Sequence, residues 1–117
     1  MFPNINNMKI YLGCGKTDLR KGIDGLAALV IEVFSLDAYD NAIFLFCGTR
    51  SDRFKALYWD KTGFVLYYKR IESGRFQWPR NQSEVKKINA HQLRRLLAGF
   101  SVEEKKTVLP CEKGLIC

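Results

Sequence analysis

The stretch from Phe54 to Trp78, FKALYWDKTGFVLYYKRIESGRFQW, constrains the fold more than any other part of the chain. Short runs that alternate apolar with polar residues are separated by two turn sequences, DKTG and IESG. Glycine in each turn can adopt a positive φ, and Pro79 ends the last run. The pattern predicts three strands joined by tight turns, Phe54–Trp59, Phe64–Lys69 and Arg75–Trp78. Successive hairpins of this kind build an antiparallel meander.

The N-terminal half predicts two more strands with a helix between them. Lys9–Leu12 reads as a short strand, and the apolar run Ala42–Cys47 is typical of a central strand. We expect a long helix capped by Thr17 and ending near Phe34. Its apolar stripe would be Leu19, Ile23, Leu26, Val30 and Val33. Gly22 and Gly25 weaken its first turns, which leaves open a break near Gly22 or a close approach of helix and sheet there.

A second, shorter helix is predicted near the C-terminus. Asn89 and Gln92 have capping-box spacing for a helix over Ala90–Ala98, and Gly99 is a natural stop. The fold class is therefore α+β: an antiparallel meander of about four or five strands, packed with one long N-terminal and one shorter C-terminal helix. We expect a single domain over residues 1–99 and a loosely ordered tail over 100–117.

Length and hydropathy exclude several classes of protein. A chain of 117 residues has room for one domain and one core. No window approaches the roughly 18 apolar residues of a membrane span. The first residues lack a basic start followed by an apolar run, so we expect a cytoplasmic protein with no membrane partner.

Catalytic and cofactor chemistry finds little support in the residues. Gly15-Lys16-Thr17 resembles the end of a phosphate-binding loop, but the first glycine of that motif would fall at Ile10. The acidic residues are scattered, whereas metal-dependent nucleases need clustered carboxylates. The sequence therefore predicts no enzyme, no catalytic residue and no cofactor.

The cysteines favour reduced thiols over a metal site. The four cysteines, Cys14, Cys47, Cys111 and Cys117, include no close pair with zinc-ligand spacing. Cys111 and Cys117 with the single histidine, His91, form the weak alternative. We predict no metal.

The positive charge is concentrated in one segment. The chain has a formal net charge of +7 at pH 7. Between Arg50 and Arg95 there are twelve basic and four acidic residues, whereas the remainder is slightly acidic. This asymmetry favours a polyanionic partner, most simply nucleic acid. The alternative is a solvated basic surface.

Basic side chains beside aromatic ones can neutralise phosphates while a ring stacks on an unpaired base. We expect Phe54, Phe64, Leu66, Phe76 and Trp78 in the core, with Lys55, Trp59, Tyr67 and Lys69 sharing the opposite face unless helices cover it. The predicted nucleic-acid-binding residues are Arg50, Arg53, Lys55, Tyr67, Lys69, Arg70, Arg75 and Arg80.

Several motifs carry a family resemblance. From about Ile10 to Gly99 the chain resembles the TnpB-type accessory proteins, the second open reading frame of the insertion sequence 66 family of bacterial transposons. The matching motifs are Asp18-Leu19-Arg20-Lys21-Gly22, Asp24-Gly25-Leu26, Asp52-Arg53-Phe54-Lys55, Trp59-Asp60, Thr62-Gly63-Phe64, Tyr67-Tyr68-Lys69-Arg70 and Gly74-Arg75-Phe76 with Trp78-Pro79.

The resemblance implies a protein required, with its partners, for transposition. In that family a separate transposase cuts and joins the DNA, and a third small protein is encoded alongside; no catalytic residues carry over. We therefore expect a non-enzymatic accessory factor that binds DNA at transposon ends. The alternative is a protein–protein adaptor that docks onto the transposase without touching DNA. Neither oligomeric state nor strand preference follows from the sequence.

Overall fold

The computed structural model describes residues 2–80 and 84–102, which form a five-stranded sheet with helices on both faces. The strands are β1 (Lys9–Lys16), β2 (Ala42–Cys47), β3 (Arg53–Trp59), β4 (Phe64–Arg70) and β5 (Val85–Ile88), in the spatial order β4-β3-β2-β1-β5. The helices are α1 (Ile23–Ala28), continued by a π-helical segment (Leu29–Val33), and α2 (Ala90–Leu97). A short 3₁₀ turn precedes β1.

The sheet is mixed, so the predicted all-antiparallel meander is wrong. The β2–β3–β4 part is antiparallel as expected, but β1 and β2 run parallel, with Lys9 opposite Ala42 and Leu12 opposite Leu45. The physical reason is the helical connection between them, because a helix that crosses over the sheet returns the chain to start a second strand in the same direction.

The fifth strand is also not the one that the sequence predicted. Arg75–Trp78 forms no strand; Phe76 and Trp78 instead pack against Phe54 in the core. The Trp78 Nε1–H donates a hydrogen bond of 2.8 Å to the Gly13 carbonyl, which fastens this segment to β1. The edge strand beyond β1 is β5, which pairs antiparallel to it.

The long N-terminal helix is wrong as well. Helix begins only at Ile23, with six α-helical residues followed by five π-helical ones. Thr17 does not cap it, because the N-cap residue is Gly22; the Thr17 N–H instead extends the β1–β2 pairing by donating to the Cys47 carbonyl at 2.9 Å. The wider π turn also rotates the stripe, so that Phe34 packs inward while Val33 is 64% exposed.

The C-terminal helix is as predicted in position and cap. The Asn89 side chain accepts from the Gln92 N–H at 2.8 Å, and the Gln92 side chain accepts from the Asn89 N–H at 2.9 Å. Leu93 and Leu96 are buried beneath it. Beyond Val102 the predicted tail lies outside the described residues.

Two apolar clusters flank the sheet. The α1-side core joins Leu26 and Val30 to Phe44 and Leu57, and the α2-side core joins Leu93 and Leu96 to the other face of the same strands. β2 lies between them and is buried at all six positions, which explains its uninterrupted apolar sequence. None of the helices in the described ranges is long and apolar enough to cross a membrane.

The Trp78 hydrogen bond yields a stability prediction. Trp78→Phe removes buried volume and leaves the Gly13 carbonyl without its donor, so we expect a loss of about 2 kcal/mol in the free energy of unfolding. Urea denaturation followed by circular dichroism measures it. Trp59→Phe, at a half-buried position on β3, is the matched control and should cost clearly less. Equal losses would show that the Trp78 anchor contributes nothing special.

Candidate functional site

A groove lies at the sheet edge where the parallel strands β1 and β2 both end. Its rims are the loops that follow these strands, and the first residues of β3 and the last of β4 form its floor. The carboxyl ends of parallel strands are where open α/β sheets usually place ligands. The groove has a volume of about 570 Å³ and is lined by four cations, Arg20, Arg50, Arg53 and Lys55, with Asp18, Tyr68, two leucines and small residues. We call it the basic groove.

Gly48 allows the two rim loops to meet. A Cβ at this position would lie 3.2 Å from the Thr17 carbonyl oxygen and 3.1 Å from the Leu19 side chain. A larger residue would therefore require the loop after β1 to shift by a few tenths of an ångström. The close approach brings Arg20 and Arg50 to one opening.

Arg20 and Asp18 form an exposed pair on one rim. The Arg20 Nε and Nη2 atoms donate to the two Asp18 carboxylate oxygens at 3.0 and 2.9 Å, and the Arg20 backbone N–H adds a third bond. These bonds lower the pKa of the Asp18 carboxyl to about 2. Arg20 nevertheless stays 91% exposed in its side chain, so the rest of its guanidinium faces solvent.

Arg53 and Asp52 form a second pair, which is less exposed. The Arg53 Nε and Nη2 atoms donate to the Asp52 carboxylate at 2.8 and 3.2 Å. The hydrogen bond from Arg53 lowers the pKa of the Asp52 carboxyl, and the same bond raises that of the guanidinium. A weaker contribution to the raised Arg53 pKa comes from the Tyr68 hydroxyl.

Lys55 and Arg50 have no ion pair with any residue in the described ranges. The Lys55 ammonium donates to the Lys21 carbonyl at 3.1 Å and lies 5.6 Å from the centre of the Tyr68 ring. Arg50 is exposed in the loop after β2. Their charges are the least compensated in the groove.

The structure brings some predicted site residues together and separates others. Arg50, Arg53 and Lys55 share the basic groove, and Arg75 adjoins Arg50 in a smaller cleft nearby. Arg70 lies opposite Arg53 in the β3–β4 register and is paired with Glu72 at 3.0 Å.

Tyr67, Lys69 and Arg80 lie outside the groove. Tyr67 and Lys69 are on the α2 side of the sheet, where Tyr67 packs on Phe2 and Phe54. Arg80 is turned inward, with Nη2 donating to the Cys47 thiol at 3.3 Å and to the Ser51 hydroxyl at 3.2 Å.

Two groove residues, Arg20 and Tyr68, were missing from the sequence-predicted site. The available signal for Tyr68 was strand alternation, which places it beside Leu66 on the α1 side. That face was expected to be core, but the helix covers Leu57 and Leu66 and leaves the end of β4 exposed. Arg20 offered no comparable signal, because the sequence predicted it to lie in the first turn of a helix. In the structure the helix begins only at Ile23, and Arg20 lies in the loop before it.

The described residues contain no group of three or more histidine, cysteine, aspartate or glutamate side chains that could hold a metal ion. Cys111 and Cys117 lie outside the described residues, so the weak zinc alternative stays untested. Burial raises the pKa of the Cys14 and Cys47 thiols, which keeps both protonated at neutral pH.

The sequence of the chain is similar to a known protein family and to individual proteins. The family model described as IS66 Orf2 like protein matches residues 8–107. Two uncharacterized proteins of Sinorhizobium fredii (strain NBRC 101917 / NGR234) are similar over most of their length. The protein y4hO is 35% identical over 86% of this chain and 87% of its own, and y4jC is 34% identical over 80% of each. No solved structure matches the chain.

The Asp18–Arg20 pair predicts a pH dependence. With its pKa lowered to about 2, the Asp18 carboxylate stays ionised, and the pair is lost only as the pH falls through that value. Arg20→Ala should return the pKa toward the ordinary aspartate value of about 3.9. An NMR titration of the carboxyl carbon measures it. Lys21→Ala, which removes a weaker influence, should move the pKa much less; equal shifts would contradict the assignment to Arg20.

Proposed function

The chain belongs to the IS66 Orf2-like family, and from that premise we propose a non-enzymatic accessory factor for transposition that binds DNA in the basic groove. The observation that carries the proposal is the charge balance of the groove. Four cations line it, and two of them, Arg50 and Lys55, have no carboxylate partner in the described part of the chain. Phosphates of a DNA backbone would supply the missing negative charge.

The two paired arginines can contribute as well. A guanidinium has five N–H donors in a planar fork, and Arg20 and Arg53 each use two of its nitrogens on their neighbouring carboxylate. The remaining N–H groups of Arg20, whose side chain is 91% exposed, are available to a phosphate without breaking its pair, whereas the Arg53 side chain is only 23% exposed. Each carboxylate would then hold its arginine in position, since a bidentate pair fixes the orientation of the guanidinium.

Binding rather than catalysis fits the same residues. Two-metal cleavage of DNA requires clustered carboxylates, whereas Asp18 and Asp52 are each engaged with an arginine. The family resemblance assigns cutting and joining to a separate transposase. The role left for this chain is to hold DNA, at the transposon ends or near them, while that enzyme acts.

The proposal predicts a strong and local salt dependence. The purified chain should bind labelled DNA in fluorescence polarisation, with affinity falling steeply between about 50 and about 200 mM salt. The double variant Arg50→Ala/Lys55→Ala should weaken binding by about tenfold or more and lower the salt slope by about one for each lost phosphate contact.

The matched control is Lys87→Ala/Arg94→Ala, which also removes two positive charges, but from exposed positions on β5 and α2. It should leave the salt slope unchanged. Equal weakening by both double variants would reject the groove in favour of diffuse attraction to a basic protein. No binding by the parent chain at low salt would reject DNA binding altogether.

A second candidate function is the protein–protein adaptor that docks onto the transposase. It is favoured by exposed apolar side chains at the end of the helical segment, Ile31 and Val33, and by Phe100 after α2. Co-purification with the transposase separates the two functions. A complex that survives nuclease and high salt supports the adaptor, and one that is lost with the DNA supports the groove.

A further inference from the structure

Tyr68 is the aromatic side chain in the basic groove. It stands near the end of β4, which is an edge strand, so no further strand lies beyond it in the described sheet. The residue is 51% exposed, although it lies on the same face of β4 as Leu66 and Phe64, which are partly buried against the α1-side core. A large aromatic ring is thus kept partly in water within the basic groove.

The surroundings of Tyr68 differ from those of three other tyrosines. Tyr11 stacks on Phe44, Tyr39 packs against Trp59 and Phe64, and Tyr67 packs against Phe2 and Phe54. These rings are fixed by aromatic neighbours.

Tyr68, by contrast, has no aromatic ring packed against it in the parts of the chain that the structure describes; cations surround it. The Lys55 ammonium lies over the ring at 5.6 Å, directly across the β3–β4 register, and Arg53 lines the same groove. The exposed remainder of the ring is therefore open to a planar ligand.

We propose that an unpaired nucleobase stacks on Tyr68, and that the groove therefore selects single-stranded DNA or an unpaired DNA end. This inference rests on the proposed function and specifies which form of DNA the groove holds. Single-strand sites combine a cationic track for the backbone with aromatic rings for the bases. Here Arg50, Arg53 and Lys55 supply the track and Tyr68 the ring. In a duplex the bases stack on one another and do not present a face to such a ring.

The test compares two labelled DNAs, an oligothymidine strand and a blunt duplex of equal length, in fluorescence polarisation at one salt concentration. The parent chain should bind the single strand more tightly. Tyr68→Ala should weaken that binding by about tenfold, the contribution of one stacked base, and leave duplex binding unchanged. The salt slope should also stay unchanged because the ring carries no charge. Tyr68→Phe keeps the ring and should bind nearly as the parent does.

Phe100→Ala is the matched control. Phe100 is also exposed and also lies under a cation, with the Arg95 guanidinium 5.4 Å from the ring centre, but it follows α2, on the other side of the sheet. Its removal should leave binding to both DNAs unchanged.

A second measurement does not depend on a variant that folds. Ultraviolet crosslinking of the parent chain to a strand containing 5-iododeoxyuridine, mapped by mass spectrometry, should label the peptide that contains Tyr68. Labelling at Tyr39 or Phe100 instead would overturn the inference.

The remaining outcomes separate the inference from the proposed function. If Tyr68→Ala binds the single strand as tightly as the parent while Arg50→Ala/Lys55→Ala does not, stacking on Tyr68 is rejected and DNA binding stands. If the parent binds duplex at least as well as single strand, the strand selection is rejected. If the parent binds neither DNA, both proposals fall.

Discussion

The parallel pairing of β1 with β2 is the constraint on which the rest of the structure depends. The helical connection over one face of the sheet sends both strands in the same direction, so that both end at the same edge. The Thr17 N–H then continues the pairing to the Cys47 carbonyl, and Gly48 lets the following loops touch. An antiparallel arrangement would have placed these loops at opposite ends of the sheet, and Arg20 would have been distant from Arg50.

The two faces of the sheet differ in how much of their surface the helices cover. On the α2 side, α2 and the segment around Trp78 cover the sheet as far as Phe54, and Tyr67 joins that core. On the α1 side the helical segment is short and covers Leu57 and Leu66. It does not cover the start of β3 and the end of β4. The cations of β3 and the ring of Tyr68 stand on that uncovered end. The groove is thus a consequence of a helix that does not reach the edge of the sheet.

Much of the fold was predictable from residue patterns, and the errors have physical causes. The uniform apolar run of β2, the hairpin at Asp60–Gly63 and the Asn89 cap were readable because each depends on local chemistry. The strand–helix–strand order of the N-terminal half is typical of a parallel pair, but the hairpin turns that follow favoured an all-antiparallel sheet. β5 was not predicted because Lys86 and Lys87 interrupt the alternation of apolar and polar residues in it. Arg75–Trp78 was predicted to be a strand because Phe76 and Trp78 alternate with polar residues, although both are buried without strand pairing. Of the groove, Arg50, Arg53 and Lys55 were predicted from charge, whereas Arg20 and Tyr68 depend on where a helix begins and how far it extends.

The buried orientation of the Arg80 side chain connects the groove to a part of the chain that is distant in sequence. Its guanidinium bonds to Cys47 and Ser51, and the Phe76 N–H bonds to the Ser51 carbonyl at 2.7 Å, so the loop that bears Arg50 is held from behind by residues some thirty positions later. The loop also has contacts from earlier residues, such as the bond from the Cys47 thiol to the Arg50 carbonyl, but the bonds from Phe76 and Arg80 require the chain as far as Arg80. A copy of the chain that ended before Phe76 would carry the same groove cations but would lack these two anchors of the loop that bears Arg50.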